Sequence, residues 1–346
     1  WKKGDRKSNE GAIKFFLLGV LSASLILYGF SLIYGLTGEL VFSDISAYLI
    51  TNSLGSSPVL LLSSILVISG IGFKISVVPF HSWAPDTYEG APLPITAYLS
   101  VSSKATGFVA LIVLLTKVFE SSGQSWGVIL AIVAGATMTL GNLVALQQTN
   151  PVRLLAYSSI SQAGFIIAPL AASGITGNYQ DGIFASVTYL IIYAFMNIGA
   201  FLCVHLFTNF TKSDNFYEWG GIAKHSPLAG VLTTVFFFSL AGIPPLGGWF
   251  AKFVVFRSLL STGEIVGISL AIVGAINAVI ALVYYARISK VIWMDELKNP
   301  EEERTFEFQN PLKVVGAFTV LITFVAGIFP GIFSYLGEVS SIFFGN

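Results

Sequence analysis

Lys74, Lys104 and Lys252 each fall inside an apolar stretch long enough to cross a bilayer. A charged side chain there costs roughly 2.5 to 3.5 kcal/mol on insertion scales, so ionisable residues at such depth need a reason. Burial disfavours the ammonium and a nearby carboxylate favours it, so small movements can make a lysine load and release a proton near neutral pH. That is the chemistry of a proton relay. The bland alternative is a lysine that snorkels to the interface or pairs statically to hold two helices together. Lys14 fits the alternative, because it lies one turn after Glu10 with the i, i+4 spacing of a local helical pair. The other three read as relay residues.

Two of the three lie beside helix breakers. In GIGFKISVVPFHSWAP, Pro79 follows Lys74 by five residues, and in LAGIPPLGGWFAKF the run Pro244, Pro245, Gly247, Gly248 precedes Lys252. Proline removes a backbone donor and glycine loosens the turn, leaving carbonyls that a membrane tolerates only inside protein or beside a watery cavity. Simple packing kinks are the competing explanation. Paired interruptions in two halves of a chain, each with a lysine, point instead to an ion path at mid-membrane.

Other polar groups carry weaker signals. His81, directly after the Pro79 break, is a candidate to pass protons between Lys74 and water. Ser100, Ser102 and Ser103 cluster around Lys104 in sequence, and Tyr157, Ser158, Ser159, Ser161 and Gln162 make one apolar run unusually polar. Serines in membrane helices often bond their own carbonyls, so helix glue is the expected role for most of them. His205 and His225 read as structural. The sequence contains no phosphate-binding loop, dinucleotide fingerprint, HExxH helix or GxSxG elbow. A single cysteine, Cys203, excludes an intrachain disulfide and a thiolate cluster.

The elements that must position these residues are membrane helices. Of 346 residues, 54% are hydrophobic and 10% charged, against about 25% charged in a soluble domain. Runs of about 20 apolar residues, the length that spans a hydrocarbon core, occur near 11–36, 57–79, 92–116, 126–146, 152–173, 182–208, 226–257, 266–290 and 312–335. The expected fold is therefore an all-α integral membrane protein with about nine transmembrane helices, two of them broken. HSWAPDTYEGAPLP, QQTNPVR and SGITGNYQDG read as connectors, and the charged segment 294–311 as a loop on the membrane surface. The opening WKKGDRKSNEG reads as a loop between helices, so the chain is expected to be a fragment of a longer one.

Net charge is zero, which gives no field for nucleic acid, and the expected surroundings are lipid. Basic residues are placed asymmetrically. With the N-terminus cytoplasmic, Lys2, Lys3, Arg6, Lys7, Arg153, Lys212, Lys224, Arg287, Lys290, Lys298, Arg304 and Lys313 fall on that side, and Lys117 and Arg257 on the other. The excess predicts that orientation, with the C-terminus outside.

Three segments, GFKISVVPFHSWAPDTYEGAPLPITAYLSVSSKATGF, GNLVALQQTNPVRLLAYSSISQAGFIIAPLA and FFFSLAGIPPLGGWFAKFVVF, resemble the antiporter-like subunits of respiratory complex I. The first two lie nearest the subunit N branch of bacterial NADH:quinone oxidoreductase. The resemblance implies a proton-pumping subunit of fourteen helices with two inverted repeats, of which this chain supplies the sixth to the fourteenth. Residues 1–120 would be the remainder of the first repeat, 126–291 the second, and 292–346 a surface loop and the last helix. On that pattern Lys74 and Lys252 are the lysines of the two broken helices, and Lys104 the connecting lysine. The family pairs the first lysine with a glutamate on the preceding helix, which no residue of this sequence matches. It also implies that this subunit holds no cofactor, that NADH, FMN, iron–sulfur clusters and quinone belong to other subunits, and that neighbouring antiporter-like subunits are partners in an energy-transducing inner membrane. A multisubunit sodium/proton antiporter or membrane-bound hydrogenase shares the lysines and breaks, and a structural spacer with static lysines is the remaining alternative.

Overall fold

The computed structural model describes residues 1–296 and 310–345. Its helices are α1 (Arg6–Thr37), α2 (Phe42–Thr51), α3 (Pro58–Ile75), α4 (Trp83–Gly90), α5 (Leu93–Tyr98), α6 (Lys104–Lys117), α7 (Gly123–Ala145), α8 (Pro151–Thr176), α9 (Tyr179–Thr211), α10 (Ile222–His225), α11 (Pro227–Ala241), α12 (Gly247–Ser261), α13 (Ile265–Met294), α14 (Asn310–Ile328) and α15 (Gly331–Gly345). Helix starts follow local chemistry. Asp5 caps α1 by accepting from the Ser8 amide at 2.8 Å, and that bond holds its carboxyl below the ordinary value. Asn150 caps α8 through the amides of Val152 and Arg153, with Pro151 in the first turn. Glycines at positive φ close α1 and α8, Gly38 and Gly177.

Among the described residues, eight helices are long and apolar enough to cross a membrane. The split pair α11 and α12 supplies the ninth crossing the sequence predicts. Two expectations need correction, and one helix is additional to them: α2 lies between the first two spans, ten residues long and too short to cross a bilayer. The connector HSWAPDTYEGAPLP contains α4, a helix of eight residues. The last run divides at Pro330, which cannot continue α14 and leads into α15 instead. Of the segment 294–311, residues 297–309 lie outside the described residues.

α8 is the axis of the bundle, with 94% of its membrane-length window buried. It packs on α7, α9, α4, α12 and α13. Glycine permits the closest of these approaches: a Cβ on Gly141 would stand 2.7 Å from the Ser161 amide, and one on Gly164 2.8 Å from the Met138 amide. Because α8 meets protein on all sides, its polar YSSISQ stretch faces other helices instead of lipid. That resolves the cost its composition would incur in a lipid-facing helix.

Candidate functional site

Both predicted breaks exist. α3 ends at Ile75 and Ser76 turns the chain at φ 60°; α11 ends at Ala241 and Gly242 does so at φ 95°. Gaps this size strip terminal carbonyls of their helical partners. In the first break Trp83 Nε1 donates to the Phe73 carbonyl at 2.8 Å, and the Val78 amide donates to Thr137 Oγ1 at 3.0 Å. In the second, Lys252 takes that part.

Lys252 is 5% exposed and reaches back from α12 to the end of α11. Its Nζ donates to the carbonyls of Ala241 at 2.6 Å and Leu240 at 3.1 Å, and lies 5.3 Å from the Phe165 ring centroid. A cation at a helix C-terminus meets the negative end of the helix dipole, so the break both opens the carbonyls and seats the amine. The seat is tight. A Cβ on Gly248 would fall 1.7 Å from the Ser239 carbonyl oxygen, and one on Gly327 1.8 Å from that of Pro245. Gly248→Ala is therefore expected to push α12 off α11 and cost about 1–3 kcal/mol. Thermal unfolding of the detergent-solubilised protein checks this; an unshifted midpoint would contradict the packing.

Lys104 is fully buried at the start of α6, directly after a π-helical turn, Leu99–Ser103. Such turns rotate the side chains that follow them. Its Nζ donates to Ser159 Oγ at 2.6 Å and to the Ser159 carbonyl at 3.3 Å, and sits 5.9 Å from the Tyr88 ring centroid. The serines beside it in sequence do other work: Ser100 accepts from Asn197 Nδ2 at 2.8 Å, and the Ser103 carbonyl accepts from Thr106. Lys104 is thus met across the bundle by α8.

α8 links the two amines. Gln162 Nε2 donates to the same Leu240 carbonyl that Lys252 uses, at 3.3 Å, and to Tyr285 Oη at 3.4 Å. Tyr189 donates to Gln162 Oε1, and Tyr285 pairs with Ser158. Ser158 is the chain neighbour of Ser159, which holds Lys104. Ser161 Oγ and the hydroxyls of Tyr88 and Tyr193 are buried without a hydrogen-bond partner among the described residues. Neither Lys104 nor Lys252 forms an ion pair among the described residues. Glue was the expected role of these polar residues; Ser159 and Gln162 instead touch the lysine sites.

The remaining candidates sit elsewhere. Lys74, expected inside the bundle, is exposed at the surface of this chain. It occupies the last turn of α3, and its stem runs along Gly107 of α6, one turn from Lys104. His81 is half-buried, its Nδ1 enclosed without a partner, and no hydrogen bond joins it to Lys74 among the described residues. Lys14 does pair with Glu10 at 2.6 Å, but it also pairs with Asp86 of α4. Asp86 belongs to a larger cluster: Arg153 Nη1 lies 2.7 Å from Asp86 and 2.8 Å from Glu89, and Lys7 lies 2.7 Å from Glu89. Among the described residues no group of His, Cys, Asp and Glu is arranged to hold a metal ion.

Comparison with known proteins places this architecture. The family model described as NADH:quinone oxidoreductase/Mrp antiporter, transmembrane, matches residues 1–279. NADH-quinone oxidoreductase subunit N of Heliobacterium modesticaldum is 36% identical over 340 residues, covering 98% of this chain and 68% of its own length. The chloroplastic NAD(P)H-quinone oxidoreductase subunit 2 of Mesostigma viride is 40% identical over 338 residues, covering 95% of this chain and 66% of its own. The chain thus spans about two thirds of the length of the curated relatives it matches. A chain of respiratory complex I from Thermus thermophilus superposes with a TM-score of 0.75 at 27% identity, over 94% of this chain and 68% of that one. A chain of the Mrp complex from Dietzia shares the fold, with a TM-score of 0.86 at 20% identity over 97% of this chain and 68% of that one. By sequence and by fold, this chain belongs to the NADH:quinone oxidoreductase/Mrp antiporter transmembrane family.

Proposed function

We propose that the chain is the proton-translocating membrane module of a quinone-reducing complex, and that it moves protons between Lys104 and Lys252 along the polar face of α8. One observation carries this reading: two buried lysines, without carboxylate partners among the described residues and each held by neutral oxygens, are joined to one hydrogen-bonded helix. A lysine locked in a salt bridge is a static strut. An amine held by a hydroxyl and by carbonyls keeps partners in both protonation states, since Ser159 Oγ can accept from the ammonium or donate to the amine. Tyr285, Gln162 and Ser158 offer the donors and acceptors between them, and internal water can use the spare capacity at Ser161, Tyr88 and Tyr193.

On this reading Lys74 is the amine of the first break, and its exposed face receives a carboxylate from a further helix of the longer protein or from a neighbouring subunit. His81 connects that end to water. Residues 1–120 and 126–291 act as the two repeat units, the first incomplete. Electron-carrying cofactors, NADH, FMN, iron–sulfur clusters and quinone, belong to other subunits, and the N-terminal end faces the cytoplasm. The family model spans sodium/proton antiporters as well, but the relatives at 36% and 40% identity are quinone oxidoreductase subunits, which favours redox-driven transport.

Lys104→Met preserves side-chain length and removes the proton-binding nitrogen. Redox-driven proton uptake by vesicles carrying the assembled complex is expected to fall at least about tenfold, equivalent to ~1.4 kcal/mol on the barrier. Wild-type uptake at equal assembly would reduce Lys104 to a structural role.

A further inference from the structure

α4 presents two different surfaces to α8. Near the end of the bundle, Asp86 and Glu89 grip Arg153 at 2.7 and 2.8 Å, and Asn150 Nδ2 adds a bond to Glu89 at 3.3 Å. On the same turn of α4, Tyr88 turns its ring to within 5.9 Å of Lys104 Nζ, which is bound by Ser159 of α8. Arg153 and Ser159 are six residues apart on one helix, which is about 9 Å along its axis. The ionic layer therefore lies within two turns of the Lys104 layer along α8, and α4 touches both.

We propose that Asp86, Glu89 and Arg153 form a clamp across the α4–α8 seam that excludes bulk water from the Lys104 site at this end. The clamp positions Tyr88 and Ser159 against the amine; its members are positioning residues and carry no proton themselves. The groups facing it all belong to the same cluster. Lys14 of α1 bridges Glu10 and Asp86, and Lys7 of α1 joins Glu89 to Asp214.

The cluster's layout separates clamping from folding. α4 is also tied to α1 by Thr87 Oγ1 to the Gly11 carbonyl and by Ser8 Oγ to the Gly90 carbonyl, and to α3 by Trp83. If Arg153 is lost, Asp86 keeps Lys14 and Glu89 keeps Lys7 and Asn150, so neither carboxylate is left unpaired. Removing Arg153 should loosen one seam without undocking the helix. Side-chain exposures of 20% for Asp86, 15% for Glu89 and 28% for Arg153 place the contact below the fully hydrated surface. Screening there is weaker than for exposed pairs.

The inference rests on the relay reading only in supposing that access to Lys104 matters, and its test does not use pumping. Ser159→Cys places a thiol beside the amine, and the buried Cys203 of α9 serves as an internal control. In membranes carrying the assembled protein, a water-soluble methanethiosulfonate should modify Ser159→Cys slowly. With Arg153→Gln added, the rate should rise at least about tenfold while Cys203 stays protected, and Arg153→Lys should fall between because it keeps the charge on a shorter side chain without the planar guanidinium. No acceleration at Ser159→Cys, or equal acceleration at Cys203, would overturn the clamp. If Arg153→Gln fails to accumulate, Glu89→Gln with Asp86→Asn is measured against the same criteria. A relay failure would show as normal pumping in Lys104→Met whatever the labelling rates, so the two ideas fail separately.

Discussion

Lys252→Met is expected to abolish redox-driven proton uptake while leaving the assembled complex intact. Methionine fills the volume of the lysine stem; the fit of α12 on α11 is set by Gly248 against Ser239, and that of α14 on the break by Gly327 against Pro245, which the substitution leaves alone. What disappears is the nitrogen that spans the carbonyls of Ala241 and Leu240. Leu240 retains its bond from Gln162, so one buried carbonyl is orphaned, at a cost of about 1–3 kcal/mol that a bundle of this size can absorb. Proton transfer has no such reserve, because no other titratable group with a nitrogen reaches the end of α11 among the described residues. Uptake should therefore fall by more than about tenfold, the equivalent of ~1.4 kcal/mol or more. Lys252→Arg distinguishes the relay from a fixed charge. Guanidinium stays protonated in proteins, so a relay fails in both variants, whereas a static cation on the helix terminus survives the arginine. Proton pumping by Lys252→Arg at the wild-type rate, in vesicles matched for complex content, would show that Lys252 only caps α11.

The comparison of the two breaks shows what local sequence can reveal. Proline and glycine act on the backbone within a few residues, so both interruptions and the lysines beside them are legible from spacing alone. Which face a lysine presents is decided by other helices. Lys74 and Lys252 look alike in sequence, yet one is exposed and the other 5% exposed: α9, α14 and α8 wrap α12, whereas at the end of α3 the neighbouring residues Phe73 and Ile75 are buried and Lys74 is not. The serines of 100–103 are adjacent to Lys104 in sequence, but after the π-helical turn the amine bonds Ser159 of α8, 55 residues further on. Ion pairing shows the limit most plainly. Glu10, four residues before Lys14, supplied a sufficient local partner, whereas Asp86 lies 72 residues away and Arg153 reaches it across 67. Periodicity carries no information about such pairs, and they emerge only when α1, α4 and α8 converge.

Lys74→Met is expected to stop pumping as Lys252→Met does, although the two lysines have opposite exposure in this chain. Lys74 stands in the last turn before the first break, exposed, with its stem laid along Gly107. A cation held for packing would be turned inward or paired; this one is free to meet a partner that approaches from outside the described helices. Its relay role thus requires that the assembled complex cover it, and the assembled complex is what must be assayed. Lys14→Met, attractive as a control from its local pairing alone, is unsuitable because Lys14 also bonds Asp86. Lys290→Met replaces it, since Lys290 is exposed near the end of α13. Quinone reductase turnover and proton uptake should fall together in Lys74→Met, each by about tenfold or more, because tight coupling lets neither proceed alone. Lys74→Arg should fail as well, for the guanidinium cannot release its proton on each cycle. Wild-type pumping in both Lys74 variants, with Lys104→Met and Lys252→Met inactive, would confine the relay to the α8 side and leave Lys74 as a snorkelling surface residue.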